Sequence, residues 1–527
     1  MNVLSRLRQR VVRPSAADFD AWLAKSTYLF GGLPIPLQMA ESDVVISGGK
    51  QTGKSTGMKA QMCSQIDAKI ASNQPFNMHA YTSKVDDFYP LLKGLYEPLG
   101  VKVIATNPMM QESWAWDGAG TLTDPVRIDE LVNVVVKKEA HDASPYFKNA
   151  ARLIFRAVIQ SLAATHPGLW TMRHVVNCLK SVELTAQVLG RYAPTRHVAS
   201  LLAEDQGVAG ANLRTTILLE VAALELVASL IDGTPDDRRF SVEEAANTAG
   251  VIWVWGSDPR FNTLIEPWNA VQLELIGHEW LVRGDVGVET LLYLDEFPQL
   301  SAGGGQKLSI ITKILEFGRS SRVRTTLAVQ TPAQVVAVYG EREADTLLGQ
   351  CHCMQIYKHS DEFGRKYWAD RLGRERGFEK KRSYSRQTGG GYTGGSSPTW
   401  TSSWSETENV NIERFDLERV TPSDIGDLPV GNWRQGMYGY ASIPLSRRLD
   451  PVTGVPKPLT WRFHLDPEWI ARYVPKPGEF RPYARSLKPS AAFTLPPLHD
   501  WEYGFLELTR PGLDAGRRVD IRDFEDG

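Results

Sequence analysis

The glycine-rich segment Gly48–Thr56 (GGKQTGKST) has the residue types that bind phosphate. It fits the P-loop pattern G-x-x-x-x-G-K-[ST], with a lysine at position 54 and a serine at position 55. In such a loop the backbone N–H groups and the start of the following helix surround phosphate oxygens. Lys54 would neutralise the β- and γ-phosphates and Ser55 would coordinate Mg²⁺, so we expect ATP and Mg²⁺ as cofactors. The predicted nucleotide-binding residues are Gly48, Gly49, Lys50, Gln51, Thr52, Gly53, Lys54, Ser55 and Thr56.

A pair of acidic residues, Asp295 and Glu296, follows the apolar run VETLLYL. A buried strand that ends in an acid pair has the form of a Walker B element. We expect Asp295 to hold Mg²⁺ together with Ser55, and Glu296 to orient and deprotonate the attacking water. Acid pairs after apolar strands are common, so this interpretation depends on the P-loop in the same chain.

The segment EFGRSSRVRTTLAVQT, which follows the acid pair, offers two further candidates. Gln330 ends the strand after Walker B, where many ATP-driven motors sense the γ-phosphate or its water. Arg319, Arg322 and Arg324 are candidates for an arginine finger that reaches the nucleotide of a neighbouring subunit. From spacing alone, a surface basic cluster explains Arg319 equally well.

Strands that alternate with helices must position these groups. The runs SDVVISG, FNMHAYT and VKVIAT predict strands, and a helix is expected over about Lys54 to Ala71. From Arg127 to about Asp232 the apolar residues recur at helical spacing, which predicts an inserted all-α region. The alternation then resumes with VIWVWG, VETLLYLDEF, VRTTLAVQT and CHCMQIY. The predicted fold class is therefore α/β, with a parallel sheet that is interrupted in sequence by helices.

Composition restricts the function classes. The chain has 527 residues, a formal net charge of −2 and four cysteines. A protein that coats DNA is usually basic, so any contact with nucleic acid must be local. The few cysteines suit a reducing cytoplasm, and a buried strand is preferred over a metal site for the run Cys351–Cys353. No apolar window is long enough to cross a bilayer, so a soluble, cytoplasmic protein is expected.

The block from Leu291 to Cys351 resembles the core of the type IV secretion coupling proteins, the TraG/TraD-like conjugation ATPases. These belong to the wider FtsK/HerA group of P-loop motors. The likeness covers roughly Glu41 to Met437. The matching motifs are Asp295-Glu296-Phe297, Gly318-Arg319 and Gln330-Thr331.

The resemblance implies a RecA-like ATPase domain with a helical domain, a homohexamer around a central channel, and ATP-driven movement of DNA. It makes Arg319 the preferred finger and Gln330 the phosphate-sensing residue. The implied partners are DNA (single-stranded, bound without sequence preference in the channel), a relaxase or other secretion substrate, and a secretion-channel or inner-membrane partner. Members of the family usually begin with a transmembrane hairpin, which this sequence is not expected to form. The sequence also has Thr82-Ser83-Lys84-Val85 where the family tends to have Asp-Pro-Lys-Gly.

The chain is expected to divide into six parts. Residues 383–408 are rich in Gly, Ser and Thr, and a disordered connector is preferred there over a base-contacting loop built on Tyr384, Tyr392, Trp400 and Trp404. The parts are 1–40 (N-terminal segment), 41–126 with 241–382 (discontinuous RecA-like ATPase domain), 127–240 (all-α insertion), 383–408 (flexible loop), 409–450 (return segment of the core) and 451–527 (Pro-rich C-terminal extension).

Two alternatives to the DNA translocase stay open. The first is an adaptor that recruits protein cargo and uses nucleotide to control assembly, for which the all-α region and the long tail would serve. The second is a related soluble motor in anti-phage defence or DNA processing.

Overall fold

The structure is a computed structural model, and it describes most of the chain. The predicted N-terminal segment is described only from residue 27 to residue 37, and Lys84 and Val85 lie outside the described residues. The described residues are 27–37, 42–83, 88–136, 145–202, 207–256, 262–302, 307–396, 399–432, 434–444, 458–474, 488 and 490–511.

A nine-stranded sheet forms the centre of the part that the structure describes. Its strand order is β15-β14-β11-β3-β10-β9-β4-β8-β5. The seven strands from β11 to β5 are parallel to one another. At one edge, β14 pairs antiparallel with β11, and β15 pairs antiparallel with β14. These nine strands are β3 (Val44–Ser47), β4 (Phe76–Thr82), β5 (Lys102–Ala105), β8 (Val251–Gly256), β9 (Glu289–Leu294), β10 (Val323–Val329), β11 (Cys353–Ile356), β14 (Met437–Ile443) and β15 (Leu459–Leu465). The predicted α/β fold class is confirmed.

The central strands are buried along nearly their whole length. Every residue of β4 and β8 is buried, as is typical of parallel strands between two layers. The remaining strands are β1 (Thr27–Phe30) and β2 (Leu33–Pro36), which form a hairpin, β6 (Ala115–Trp116) and β7 (Arg239–Phe240), which pair with each other, and β12 (Arg374–Thr393) and β13 (Thr399–Glu418).

The helices include the predicted one after the P-loop, which has the predicted bounds. The α-helices are α1 (Lys54–Ala71), α2 (Tyr89–Tyr96), α3 (Gly118–Thr121), α4 (Pro125–Val135), α5 (Pro145–Thr165), α6 (Met172–Lys180), α7 (Val182–Arg191), α8 (Gly207–Asp232), α9 (Val242–Asn247), α10 (Asn262–Arg283), α11 (Phe297–Ala302), α12 (Ser309–Phe317), α13 (Pro332–Tyr339), α14 (Glu341–Gln350), α15 (Glu362–Leu372), α16 (Pro422–Gly426), α17 (Pro467–Tyr473) and α18 (Asp500–Phe505).

Within the predicted insertion 127–240, the described residues form helices with short connections, and the short strand β7 lies at the end. Helices α5 to α8 pack on one another around buried side chains such as Ile154, Val158 and Val175. The predicted boundary at residue 126 falls inside α4, which begins at Pro125 and is capped by Asp124. Helix α4 also packs on α10, so the helical region and the sheet share a continuous apolar core.

The prediction of a flexible loop over 383–408 is wrong. The segment is the distal half of a hairpin, in which β12 and β13 pair antiparallel from Arg374↔Glu418 to Thr393↔Thr399. The abundance of Gly, Ser and Thr concealed an alternation with period two, which is the pattern of a strand. We call this hairpin the ribbon.

The described residues of the predicted Pro-rich C-terminal extension pack on the core. Strand β15 is an edge strand of the central sheet, and α17 packs on α1. Farther along, Arg173 and His174 of α6 contact the buried carboxylate of Glu502 on α18. Partnered burial of these charges ties the end of the chain to the helical region.

No helix within the described ranges is both long enough and apolar enough to span a bilayer.

Candidate nucleotide-hydrolysis site

The P-loop joins β3 to α1 at the carboxyl edge of the sheet. The φ of Gly53 is 98°, and a Cβ atom there would lie 2.4 Å from the sulfur of Met437, so only glycine fits. The amide of Gly49 donates to the carbonyl of Lys358 over 2.9 Å, which holds the loop against the segment after β11. The sequence GGKQTGKST therefore forms a loop of backbone amides at the start of an 18-residue helix, as phosphate binding requires.

Lys54, Ser55 and Asp295 lie together beside this loop. The Lys54 ammonium is 5% exposed and lies 3.7 Å from the Asp295 carboxylate, and it has no hydrogen-bond partner among the described residues. A buried cation in this position suits a phosphate oxygen. The Ser55 hydroxyl donates to Asp295 over 3.1 Å, and these two oxygen donors are of the type that Mg²⁺ prefers. The predicted ATP- and Mg²⁺-binding residues thus fit both groups.

Glu296 lies between the ends of the two strands that flank β9. Its backbone φ of 52° is in the left-handed region, which is uncommon for residues other than glycine and is found at functional turns. Gln330, at the end of β10, donates to one carboxylate oxygen over 2.9 Å. Ser83, at the end of β4, donates to the other over 3.1 Å. Each oxygen of the predicted base is therefore held by a neutral donor.

Ser83 is a functional candidate that the sequence analysis did not identify. It belongs to the segment that departs from the family pattern, and its only signal was a polar side chain just beyond an apolar strand. The contact with Glu296 depends on β4 lying next to β9 in the sheet, although more than 200 residues separate the two strands in sequence. Strand order is a tertiary property.

Replacing Ser83 with alanine is expected to lower the rate of ATP hydrolysis by roughly 10- to 100-fold, since a hydrogen bond to a charged group contributes about 1.5–3 kcal/mol. The KM for ATP should change little, because Ser83 contacts the predicted base rather than the P-loop. Steady-state kinetics of Ser83→Ala and Ser83→Thr would test this expectation. Threonine keeps the hydroxyl and should retain most of the activity; equal loss in both variants would contradict the assignment.

A chain of polar contacts runs from the buried start of the P-loop to the surface. Ser47 Oγ lies 3.1 Å from Nε2 of His359, and Nδ1 of His359 lies 3.4 Å from Asp361. Thr331, next to Gln330, donates to the same Asp361 carboxylate over 2.8 Å. The hydrogen bond with His359 holds the pKa of Asp361 well below its usual range. This chain links the start of the P-loop to the loop that carries Gln330.

Arg319 lies at the opposite edge of the sheet from the P-loop. It precedes β10, whose last residue, Val329, pairs with Ser47 immediately before the P-loop. The seven-residue strand separates the two edges by roughly 20 Å at about 3.3 Å per residue. Arg319 is exposed, whereas Arg322 forms a 2.9 Å ion pair with Asp285. The structure thus brings Lys54, Ser55, Asp295, Glu296 and Gln330 together and leaves Arg319 apart.

One family model matches most of the chain. Residues 27–432 match the family described as the type IV secretion-system coupling protein DNA-binding domain. The chain belongs to this coupling protein family. The resemblance in the sequence motifs is therefore confirmed.

Solved structures of a coupling protein share the fold. The bacterial conjugative coupling protein TrwB, in an unbound monoclinic form, is 15% identical with a TM-score of 0.59, over 86% of this chain and 92% of that chain. TrwB in complex with the non-hydrolysable ATP analogue ADPNP has a TM-score of 0.58, and TrwB with ADP and Mg²⁺ has a TM-score of 0.57, both at the same identity and coverage. At this identity the likeness shows the fold. None of the curated proteins compared with the chain matches it.

Asp43 lies at the amino edge of the central sheet. It is near Arg319, which precedes β10, and Arg324, which lies at the start of β10. Its carboxylate accepts the backbone N–H of Thr325 over 2.7 Å. Burial raises the pKa of Asp43 to about 7, against the lowering effects of the Thr325 hydrogen bond and of Arg324 and Arg319. The folded protein therefore retains a proton that the unfolded chain has released between about pH 4 and pH 7.

We expect Asp43 to make the protein less stable as pH rises from about 4 to 7, because the folded state binds more protons than the unfolded state in that window. The slope is at most roughly 1.4 kcal/mol per pH unit. Asp43→Asn should remove it while still accepting the Thr325 N–H. Urea unfolding from pH 5 to pH 8 would measure the difference between wild type and variant. Other titrating groups, such as Glu130, cancel in that difference; parallel curves would show that Asp43 does not contribute.

Proposed function

We propose that this chain is an ATP-driven DNA translocase that moves DNA, or a relaxase–DNA complex, toward a secretion channel. The observation that carries the proposal is the position of Glu296 between Gln330 and Ser83, beside Lys54 and Asp295. This arrangement supports hydrolysis of a nucleotide in addition to its binding. Membership of the coupling protein family supports DNA as the cargo.

The side chains divide the work of hydrolysis. Lys54 and the amides of the P-loop bind the β- and γ-phosphates, and Ser55 with Asp295 holds Mg²⁺. When bound, Mg²⁺ supplies positive charge that offsets the charge developing on the transferred phosphoryl group. Glu296 accepts a proton from the attacking water. Gln330 and Ser83 fix the orientation of the Glu296 carboxylate, and Gln330 is placed to sense whether the γ-phosphate is present.

The active unit in this proposal is a homohexamer around a central channel. Arg319 lies at the edge of the sheet remote from the P-loop of its own chain, so it would complete the site of a neighbouring subunit. A charged donor supplied in this way stabilises the transition state of phosphoryl transfer.

The proposed substrate is single-stranded DNA, bound without sequence preference in the channel. A net charge of −2 is compatible with this, because identical copies of a few basic residues multiply the local charge around a channel. A relaxase or other secretion substrate would accompany the DNA. We propose a cytoplasmic location, with the inner membrane reached through a partner.

The test is ATP hydrolysis by the purified full chain, with and without single-stranded DNA. We expect DNA to stimulate hydrolysis, and binding of DNA to weaken steeply between 50 and 200 mM salt because phosphate contacts release counterions. Hydrolysis that DNA does not stimulate, together with stable binding of protein cargo, would instead favour the adaptor function. DNA affinity that does not change with salt would contradict a channel that tracks phosphates.

A further inference from the structure

The ribbon formed by β12 and β13 is the longest exposed element of the described chain. Each strand has 20 residues, which at about 3.3 Å per residue gives a length of roughly 65 Å. The two strands form a sheet of their own, to which no other described strand is paired. Both outer edges of the ribbon therefore carry backbone N–H and C=O groups that no strand satisfies.

The two faces of the ribbon differ sharply in chemistry. Residues opposite each other in an antiparallel pair share a face, so the register Tyr384↔Glu408 places the even-numbered residues of both strands together. Tyr384 is 64% exposed and Trp404 is 69% exposed. The charged and aromatic face includes Arg382, Tyr384, Arg386, Trp404, Glu406 and Glu408. The neutral face includes Ser383, Ser385, Gln387, Ser403, Ser405 and Thr407.

In the segments 382–391 and 402–408, the charges on the first face are sorted by strand. Arg382 and Arg386 lie on β12, and Glu406 and Glu408 lie on β13. Within one ribbon Arg382 lies 3.6 Å from Glu408. If β12 of one ribbon joins β13 of another, an arginine column again meets a glutamate column. Joining two β12 strands or two β13 strands would place like charges side by side, which is destabilising.

The distal part of the ribbon, which lies beyond Lys380 and Lys381, lacks the features that keep sheet edges apart. Natural edges are protected by lysine, proline, β-bulges or short strands. The segments 382–391 and 402–408 contain no lysine and no proline, and the register runs without a bulge over the full length of both strands. A two-stranded hairpin is also only marginally stable alone in water. Such an edge is expected to pair with another strand.

We propose that the ribbon pairs edge to edge with the ribbon of a second copy of this chain, with the outer edge of β12 against the outer edge of β13. This join is head to tail, so it repeats from copy to copy and forms a ring when the rotation closes. The ribbons then form a closed β-barrel collar without free edges. The inference rests on the proposed function in one respect: both assume that identical subunits assemble into a ring.

The test uses two full-length variants that reverse the charge of one strand each. The acidic variant carries Arg382→Glu and Arg386→Glu, and the basic variant carries Glu406→Arg and Glu408→Arg. In either variant alone, every edge-to-edge join places like charges together. Sedimentation velocity at low salt should show that the protein concentration for half-maximal assembly rises by roughly tenfold or more for each variant. The reason is that like charges on neighbouring strands destabilise the pairing of those strands.

An equimolar mixture of the two variants should restore assembly to near the wild-type concentration, because acidic and basic strands then alternate around the ring. Each chain keeps like charges within its own ribbon after mixing, so repair inside one ribbon cannot produce this result. A control exchanges the exposed ion pair on α15 through Glu362→Lys and Lys366→Glu, and should leave assembly unchanged.

Several outcomes would overturn the inference. The ribbon join would be excluded if both charge-reversed variants assembled at the wild-type concentration. It would also be excluded if the mixture assembled no more readily than either variant alone. Unchanged assembly with weakened binding of single-stranded DNA would assign the aromatic face to DNA instead. The proposed function fails independently: a wild-type protein that assembles through its ribbons but does not hydrolyse ATP would contradict the motor and leave the ribbon join standing.

Discussion

Replacing Glu296 with glutamine is expected to lower ATP turnover by a factor of about 100 to 10,000, which is the usual contribution of a positioned general base. Glutamine preserves the shape of the side chain and can still accept the hydrogen bond from Gln330 or Ser83. It cannot take a proton from water. Nucleotide binding should remain close to wild type, because Lys54 and the P-loop are unchanged.

Two further variants make this result specific. Lys54→Ala should abolish nucleotide binding as well as turnover, since it removes the buried cation beside Asp295. Glu316→Gln changes an exposed glutamate on α12 and should leave both unchanged. Binding of a fluorescent ATP analogue, measured beside steady-state hydrolysis, separates the two effects. Hydrolysis by Glu296→Gln at the wild-type rate would show that another group activates the water.

Arg319→Ala should lower turnover of the assembled protein by about 1,000-fold or more, the contribution of an arginine finger to phosphoryl transfer. The physical reason is its position: Arg319 lies roughly 20 Å from the P-loop of its own chain, at the other end of β10. It cannot reach that P-loop, so we expect it to act on the nucleotide of a neighbour. Arg322→Ala, which breaks the ion pair with Asp285, is the matched control and should have a small effect.

Mixing provides a direct test of action between subunits. Neither Arg319→Ala nor Lys54→Ala should hydrolyse ATP alone. In a mixed ring, however, the intact Arg319 of a Lys54→Ala subunit meets the intact P-loop of an Arg319→Ala subunit. Hydrolysis should then recover to a measurable fraction of wild type. A mixture as inactive as its components would contradict a finger that acts in trans.

The sequence predicted the strands of the parallel sheet and the position of the P-loop between β3 and α1, because these depend on local patterns. The apolar runs that became β3, β4, β8 and β9 are bounded by turns and separated by helical spacing. The P-loop depends on residues within a nine-residue segment, so its spacing is readable without knowledge of the fold. The ribbon was predicted as a flexible loop because abundant Gly and Ser usually accompany disorder.

The sequence by itself thus determined the nucleotide-binding loop, the acid pair and the α/β class, all of which are encoded by neighbouring residues. Only the tertiary structure decided what surrounds Glu296. The order of strands in the sheet places β10 on one side of β9 and β4 on the other, which brings in Gln330 and Ser83 as donors. The length of β10 likewise decided that Arg319 lies far from its own P-loop. Contacts between distant segments depend on the order in which strands pack in the sheet, and the spacing of neighbouring residues does not specify that order.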